Sequence, residues 1–152
     1  MRFLSVLRSR QGKPLGDEAM RLPLEKLCEK YEILLLYLFG SYATGNATSL
    51  SDLDLAYVAE KKLDPSRLLA FLGELQDLFE EEAVDLVDLR KAPLPLAHRV
   101  FKEGRCLYIR EQKTKIAFET RIEALYCDTE PLRRESFNAL LRRIEDGSFG
   151  DR

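Results

Sequence analysis

Residues 39–55 read FGSYATGNATSLSDLDL, and the fold turns on this stretch. Upstream of it runs Ile33-Leu34-Leu35-Leu36-Tyr37-Leu38-Phe39, unbroken in its apolarity until Gly40-Ser41. Such a run reads as a strand covered on both faces and central in its sheet. A small, polar loop follows, and Asp52 and Asp54 then alternate at the start of a second apolar run, Leu53 to Val58. Side chains two apart on a strand share a face. Two carboxylates would therefore aim at one point, beside a turn whose backbone N–H groups have no strand partner. Backbone N–H groups suit phosphate, and paired carboxylates suit a hard divalent cation. The stretch points to a site for a nucleotide and its metal.

Working outward, Pro23 reads as the first residue of a helix, with Leu24, Leu27, Cys28 and Tyr31 at helical spacing. Residues Met1 to Arg21 say least: Phe3, Leu4, Val6 and Leu7 suit a short helix or an edge strand, and Gly12, Pro14 and Gly16 break it. Downstream, Asp52 to Ala59 is the second strand. Asp64-Pro65 is an N-cap followed by an N1 proline, and its helix runs to about Glu80. Ala83 to Leu89 is a third strand, Leu96 to Glu103 a helix closed by Gly104, and Arg105 to Ile109 a fourth strand. From Glu111 the pattern is helical, interrupted at Asp128-Thr129-Glu130-Pro131.

The order α-β-loop-β-α-β-α-β-α-α describes an α/β (α+β) fold, with a small mixed sheet flanked by helices and a C-terminal helical tail. The expected division is a domain over 1–110, with its core at 23–110, and a helical extension over 111–152 packed on that domain or on a partner.

Composition narrows the function. A chain of 152 residues, 45% apolar and 33% charged, is most simply one soluble domain. Its net charge of −2 gives no global basic field, so direct nucleic-acid binding is not expected. Cys28, Cys106 and Cys127 show no metal-ligand spacing and read as reduced, buried thiols. The N-terminal apolar stretch is too short for a signal peptide or a membrane span, so a cytoplasmic protein is expected. No G-x4-G-K-[ST] occurs, which argues against a P-loop mechanism.

The match to G-S-x10-D-x-D at Gly40-Ser41, Asp52 and Asp54 resembles the nucleotidyltransferase superfamily with the polymerase-β-like catalytic fold. More narrowly, it is similar to the minimal nucleotidyltransferase (MNT) proteins, over roughly residues 23 to 110. The resemblance implies that Gly40 and Ser41 hold a nucleotide triphosphate; Gly45 is grouped with them as a nucleotide-binding candidate, read first as serving the turn geometry. It implies that Asp52, Asp54 and a third carboxylate bind two Mg²⁺ ions. Asp85 and Asp88 compete for that third position. They have opposite parity on the strand, and periodicity alone does not choose between them. The family's V-D-L-V pattern selects Asp85. Thr44 stands where relatives often carry Arg, which puts in doubt any phosphate contact inferred there.

The resemblance further implies AMP transfer from ATP to a hydroxyl. MNT proteins resemble the antitoxin half of toxin–antitoxin modules whose partner is a HEPN-family RNase, and family members AMPylate a tyrosine on it. No R-x4-6-H motif is present, because Arg90 lies eight residues before His98, so the chain resembles the antitoxin and not the toxin. Two alternatives stand beside this one. An aminoglycoside-type nucleotidyltransferase would use the acidic Glu80-Glu81-Glu82 run for a polycationic substrate. A non-catalytic binding module would use tail residues such as Phe118, Leu125, Phe137 and Leu141 against a partner or in a homodimer. His98, next to Arg99, reads as a packing or surface residue ahead of a general base. Lys102 and Arg105 are candidates to line an acceptor groove.

Overall fold

In a computed structural model, residues 18–48 and 50–147 are described. The reading of Phe3 to Leu7 as a helix or strand lies outside them. The elements are α1 (Glu18–Lys30), β1 (Ile33–Phe39), α2 (Gly40–Thr44), β2 (Leu53–Ala59), α3 (Pro65–Phe79), β3 (Val84–Asp88), α4 (Leu94–Glu103), β4 (Arg105–Ile109), α5 (Gln112–Asp128) and α6 (Glu130–Glu145).

The strands form one mixed sheet in the order β3-β2-β1-β4. β1 runs antiparallel to both β2 and β4, while β2 and β3 are parallel, joined through α3. The all-apolar β1 is thus interior to the sheet, as its composition requires. Its two faces serve two cores. Ile33, Leu36 and Leu38 pack with Leu53, Leu55 and Tyr57 under α1 and α3. Leu35 and Tyr37 pack with Ala56 and Val58 under Ala97 and Val100 of α4 and Ile122 of α5. A register shift between Ile33 and Leu35 lets Leu34 and Leu35 both serve the second core.

The Asp64 cap forms as its residue type dictates, its carboxylate accepting from the Arg67 N–H at 3.0 Å. Three details differ from the sequence reading. Pro23 lies inside α1 instead of opening it. The carbonyl it leaves without a donor belongs to exposed Ala19, where solvent can reach it. Residues 40–44 of the expected loop instead form the one-turn helix α2. Gly104 ends α4 with ordinary backbone (φ −76°), not in the left-handed region. Close approach explains this glycine: a Cβ there would fall 2.1 Å from the Val100 carbonyl oxygen and 2.9 Å from that of Leu38.

The thiols also need correcting. Cys28 is buried, Cys106 half-buried and Cys127 exposed. Burial pushes the Cys28 thiol well above its usual range, and Cys106 is pushed up to about 11, mainly by burial. No helix among the described residues is long and apolar enough to cross a membrane.

Candidate active site

Three strand ends meet at one end of the sheet: the end of β1, the start of β2 and the start of β3. Asp54 lies opposite Phe39 of β1 on one side and opposite Asp85 of β3 on the other. Parity puts Asp54 and Asp85 on the sheet face that carries Ala56, Val58 and Val87, and Asp52, expected to open the strand, lies one residue before β2, close enough for its charge to act on Asp54. Asp88 takes the other face, opposite Tyr57, where it accepts from the Arg90 N–H at 3.0 Å and pairs with Lys91 at 3.4 Å. The structure thus brings Asp85 to Asp54 and keeps Asp88 away.

Gly40 is fitted to this cluster. Its φ is +70°, and a Cβ there would lie 2.1 Å from Asp54 Oδ2. Only a residue without a side chain lets the backbone turn from β1 into α2 directly against the carboxylate. Ser41 follows, half-exposed. Thr44 Oγ1 donates back to the Gly40 or Ser41 carbonyl at 3.3 Å, and Gly45 closes α2 in the left-handed conformation (φ 78°) with its N–H on the Ser41 carbonyl. Thr44 is thereby committed to the turn. Arg105 Nε donates to the Ala43 carbonyl at 3.2 Å and ties α2 to β4, a positioning role that no sequence spacing announces.

Asp54 is half-buried while Asp52 and Asp85 are exposed. Burial, then the Asp85 charge, then that of Asp52, hold the Asp54 carboxyl above its ordinary range. Among the described residues, no three acidic, His or Cys side chains are drawn together as a ready metal cage. Mutual repulsion among these carboxylates works against a tighter grouping when no cation offsets their charge. The donor set fits a hard divalent cation: all oxygen, no softer ligand, and three carboxyl groups whose mutual repulsion a cation would relieve.

His98 belongs elsewhere. Its ring stacks on Tyr126 at 3.7 Å and meets Phe101 edge-on at 5.2 Å, and its Nε2 lies 3.3 Å from Glu123, which also pairs with Lys102 at 3.0 Å. Arg133 covers the Tyr126 ring at 3.6 Å. These residues clasp α4, α5 and α6 together. Lys102 is committed to that clasp.

A model of the family described as Polymerase beta, Nucleotidyltransferase matches residues 23–113, spanning every strand and the whole carboxylate cluster. The chain belongs to this nucleotidyltransferase family. Protein adenylyltransferase MntA of Shewanella oneidensis is 33% identical over 95 residues, 62% of this chain and 67% of that relative. A crystal structure of a toxin–antitoxin with AMP-PNP superposes with a TM-score of 0.68 at 28% identity, over 82% of this chain and 98% of that one. A structure of the tri-AMPylated Shewanella oneidensis HEPN toxin in complex with its MNT antitoxin gives a TM-score of 0.64 at 25% identity, over 82% and 98%. This nucleotidyltransferase therefore shares its fold with minimal nucleotidyltransferases that work beside a toxin.

Proposed function

We propose that this nucleotidyltransferase moves AMP from ATP onto a tyrosine hydroxyl of a HEPN-family RNase and so acts as its antitoxin. The observation that carries the reading is the facing of Asp54 and Asp85 across β2 and β3, with Gly40 pressed against Asp54. The likeness to the MntA adenylyltransferase and to the AMP-PNP-bound toxin–antitoxin supports the nucleotide and the partner class.

Asp52, Asp54 and Asp85 would hold two Mg²⁺ ions, which when bound lower the pKa of the acceptor hydroxyl and offset charge on the departing pyrophosphate. The chain's own residues do the rest. Backbone N–H groups at Gly40 and Ser41, at the start of α2, bind the triphosphate oxygens, as the first N–H groups of a helix lack internal partners. The Ser41 hydroxyl adds a donor, and Gly45 shapes the turn. The tyrosine oxygen attacks the α-phosphorus in line. One P–O bond forms, the α–β anhydride bond breaks, and pyrophosphate leaves. Exposed Asp85 accepts the phenolic proton.

The test is the intact mass of a HEPN RNase partner after incubation with this protein, ATP and Mg²⁺, beside the variant carrying Asp52→Ala and Asp54→Ala. One or more added AMP masses, absent with the variant and mapped to tyrosine, is expected. A stable complex with no added mass would turn the reading toward a non-catalytic binding module.

A further inference from the structure

α2 caps the end of the sheet with a foot on each face. Its first residue, Gly40, lies against Asp54 on the face that carries Ala56 and Val58. Tyr42 and Ala43 are buried in the core on the other face, with Leu38 and Leu55. Bonds within the turn set its shape: Thr44 Oγ1 donates to the Gly40 or Ser41 carbonyl, and the Asn46 N–H donates to the Ser41 carbonyl at 2.9 Å. None of these sets where the turn sits on the sheet. The packing of Tyr42 and Ala43 does so only loosely, because apolar burial has no directional requirement.

Arg105 supplies the direction. It is the first residue of β4 and stands opposite Leu38, so its side chain starts on the face away from the carboxylates. From there its Nε donates to the Ala43 carbonyl at 3.2 Å, across 62 residues of chain. A hydrogen bond from a charged donor is stronger than a neutral one and has a preferred angle, so it resists both sliding and rotation of a one-turn helix. The chain is closely packed where this side chain begins. The Gly104 N–H donates to the Val100 carbonyl at 2.8 Å, and a Cβ on Gly104 would lie 2.9 Å from the Leu38 carbonyl oxygen. The charges that shift Asp54 come from Asp85 and Asp52. Arg105 reaches it through α2.

We infer that Arg105 is a positioning residue for AMP transfer: it pins the Ala43 carbonyl and, through α2, holds Gly40 against Asp54, so that the turn and the carboxylates meet the same triphosphate. This rests on the nucleotide reading above. A helix rises about 1.5 Å per residue, so Ala43 and Gly40 are roughly 5 Å apart along α2, and a tilt at one end moves the other.

The experiment measures AMP transfer to a HEPN RNase partner, nucleotide affinity and Tm for wild type, Arg105→Met and Arg105→Lys. Methionine keeps an apolar stem and removes the donor, whereas lysine keeps a charged donor. Arg105→Met is expected to lower kcat/KM for ATP about ten-fold or more, the scale of a partial misplacement at a reacting centre, with KM for the protein acceptor unchanged. Arg105→Lys restores most of that loss. A merely structural role would lower Tm in both variants and leave the kinetic constants of the folded enzyme at wild-type values. That result overturns the inference while leaving the transferase reading intact. A loss that Arg105→Lys leaves unrestored also overturns it, since the bond to Ala43 needs one donor. If wild type transfers nothing, its affinity for AMP-PNP with Mg²⁺ decides: ten-fold weaker binding by Arg105→Met, about the same scale, upholds the anchor, and equal binding overturns it. Neither transfer nor nucleotide binding by wild type overturns both.

Discussion

Asp54 and Asp85 are direct partners in the parallel pairing of β2 and β3, so two like charges face one another across adjacent strands. In an ordinary sheet that pairing is disfavoured. It sits at the sheet end where Gly40 gives up its side chain to make room for Asp54, which a solvated corner would not require.

The two aspartates of β3 should therefore part company. Asp85→Asn is expected to lower transfer by roughly a hundred-fold or more, the scale of losing a positioned base or ligand. Asp88→Asn, at a residue that pairs with the Arg90 N–H and Lys91 on the opposite face, is expected to keep kcat and cost about 1 kcal/mol or less. Steady-state transfer rates and denaturant melts of both variants check this. Equal losses of activity would remove the assignment of Asp85.

Gly40→Ala should be damaging out of proportion to one methyl group. The left-handed backbone alone costs about 1–2 kcal/mol for a residue with a Cβ. The added carbon also lands on Asp54 Oδ2 and must displace it. Transfer is expected to fall roughly a hundred-fold, as displacements of that order do at reacting centres. Gly45→Ala meets nothing within 4 Å and bears only the backbone cost, so its activity should stay near wild type while its Tm drops.

The contrast between these glycines shows where sequence reading reaches and where it stops. β1 is legible because seven apolar residues in a row suit only an interior strand, and Ile33–Phe39 is observed as such. The Asp64-Pro65 start of α3 is legible because cap chemistry is local. The choice between Asp85 and Asp88 needed a family pattern, since both faces of β3 are otherwise apolar. The contact of Gly40 with Asp54 joins residues fourteen apart through β1–β2 pairing, which no periodicity encodes. The start of α1 was misplaced because proline marks a first turn only when the flanking residues are not themselves helical. His98 drew notice as the one histidine, yet its role is set by Tyr126 and Glu123 of α5, far along the chain.

His98→Ala is accordingly a stability variant. Losing a stacked ring pair costs about 1 kcal/mol. The loss should appear as a lower Tm and faster proteolysis between α4 and α5, with kcat for transfer unchanged. A kcat that falls with an altered pH profile would instead make His98 part of the chemistry.

Asp54→Asn should separate function from stability in opposite directions. In the folded chain Asp54 keeps its proton to higher pH than an unfolded aspartate does, because burial and the charges of Asp85 and Asp52 oppose its ionisation. Below the unfolded pKa, about 4, both states hold the proton and the group is neutral in the balance. As pH rises past that value the unfolded chain ionises first, so wild-type stability falls until the folded pKa is passed, and the deficit persists at neutral pH. Asparagine carries no such deficit. Asp54→Asn is therefore expected to melt above wild type at pH 7 without added metal, with the gap closing as pH falls below 4, while transfer is lost. Added Mg²⁺ should raise the wild-type Tm and leave the variant's nearly unmoved, because the cation stabilises only the folded state that binds it. Thermal melts of both proteins across pH 3–8, with and without Mg²⁺, read all of this. A variant that melts below wild type at pH 7 would mean that Asp54 is held by favourable partners and does not carry uncompensated charge.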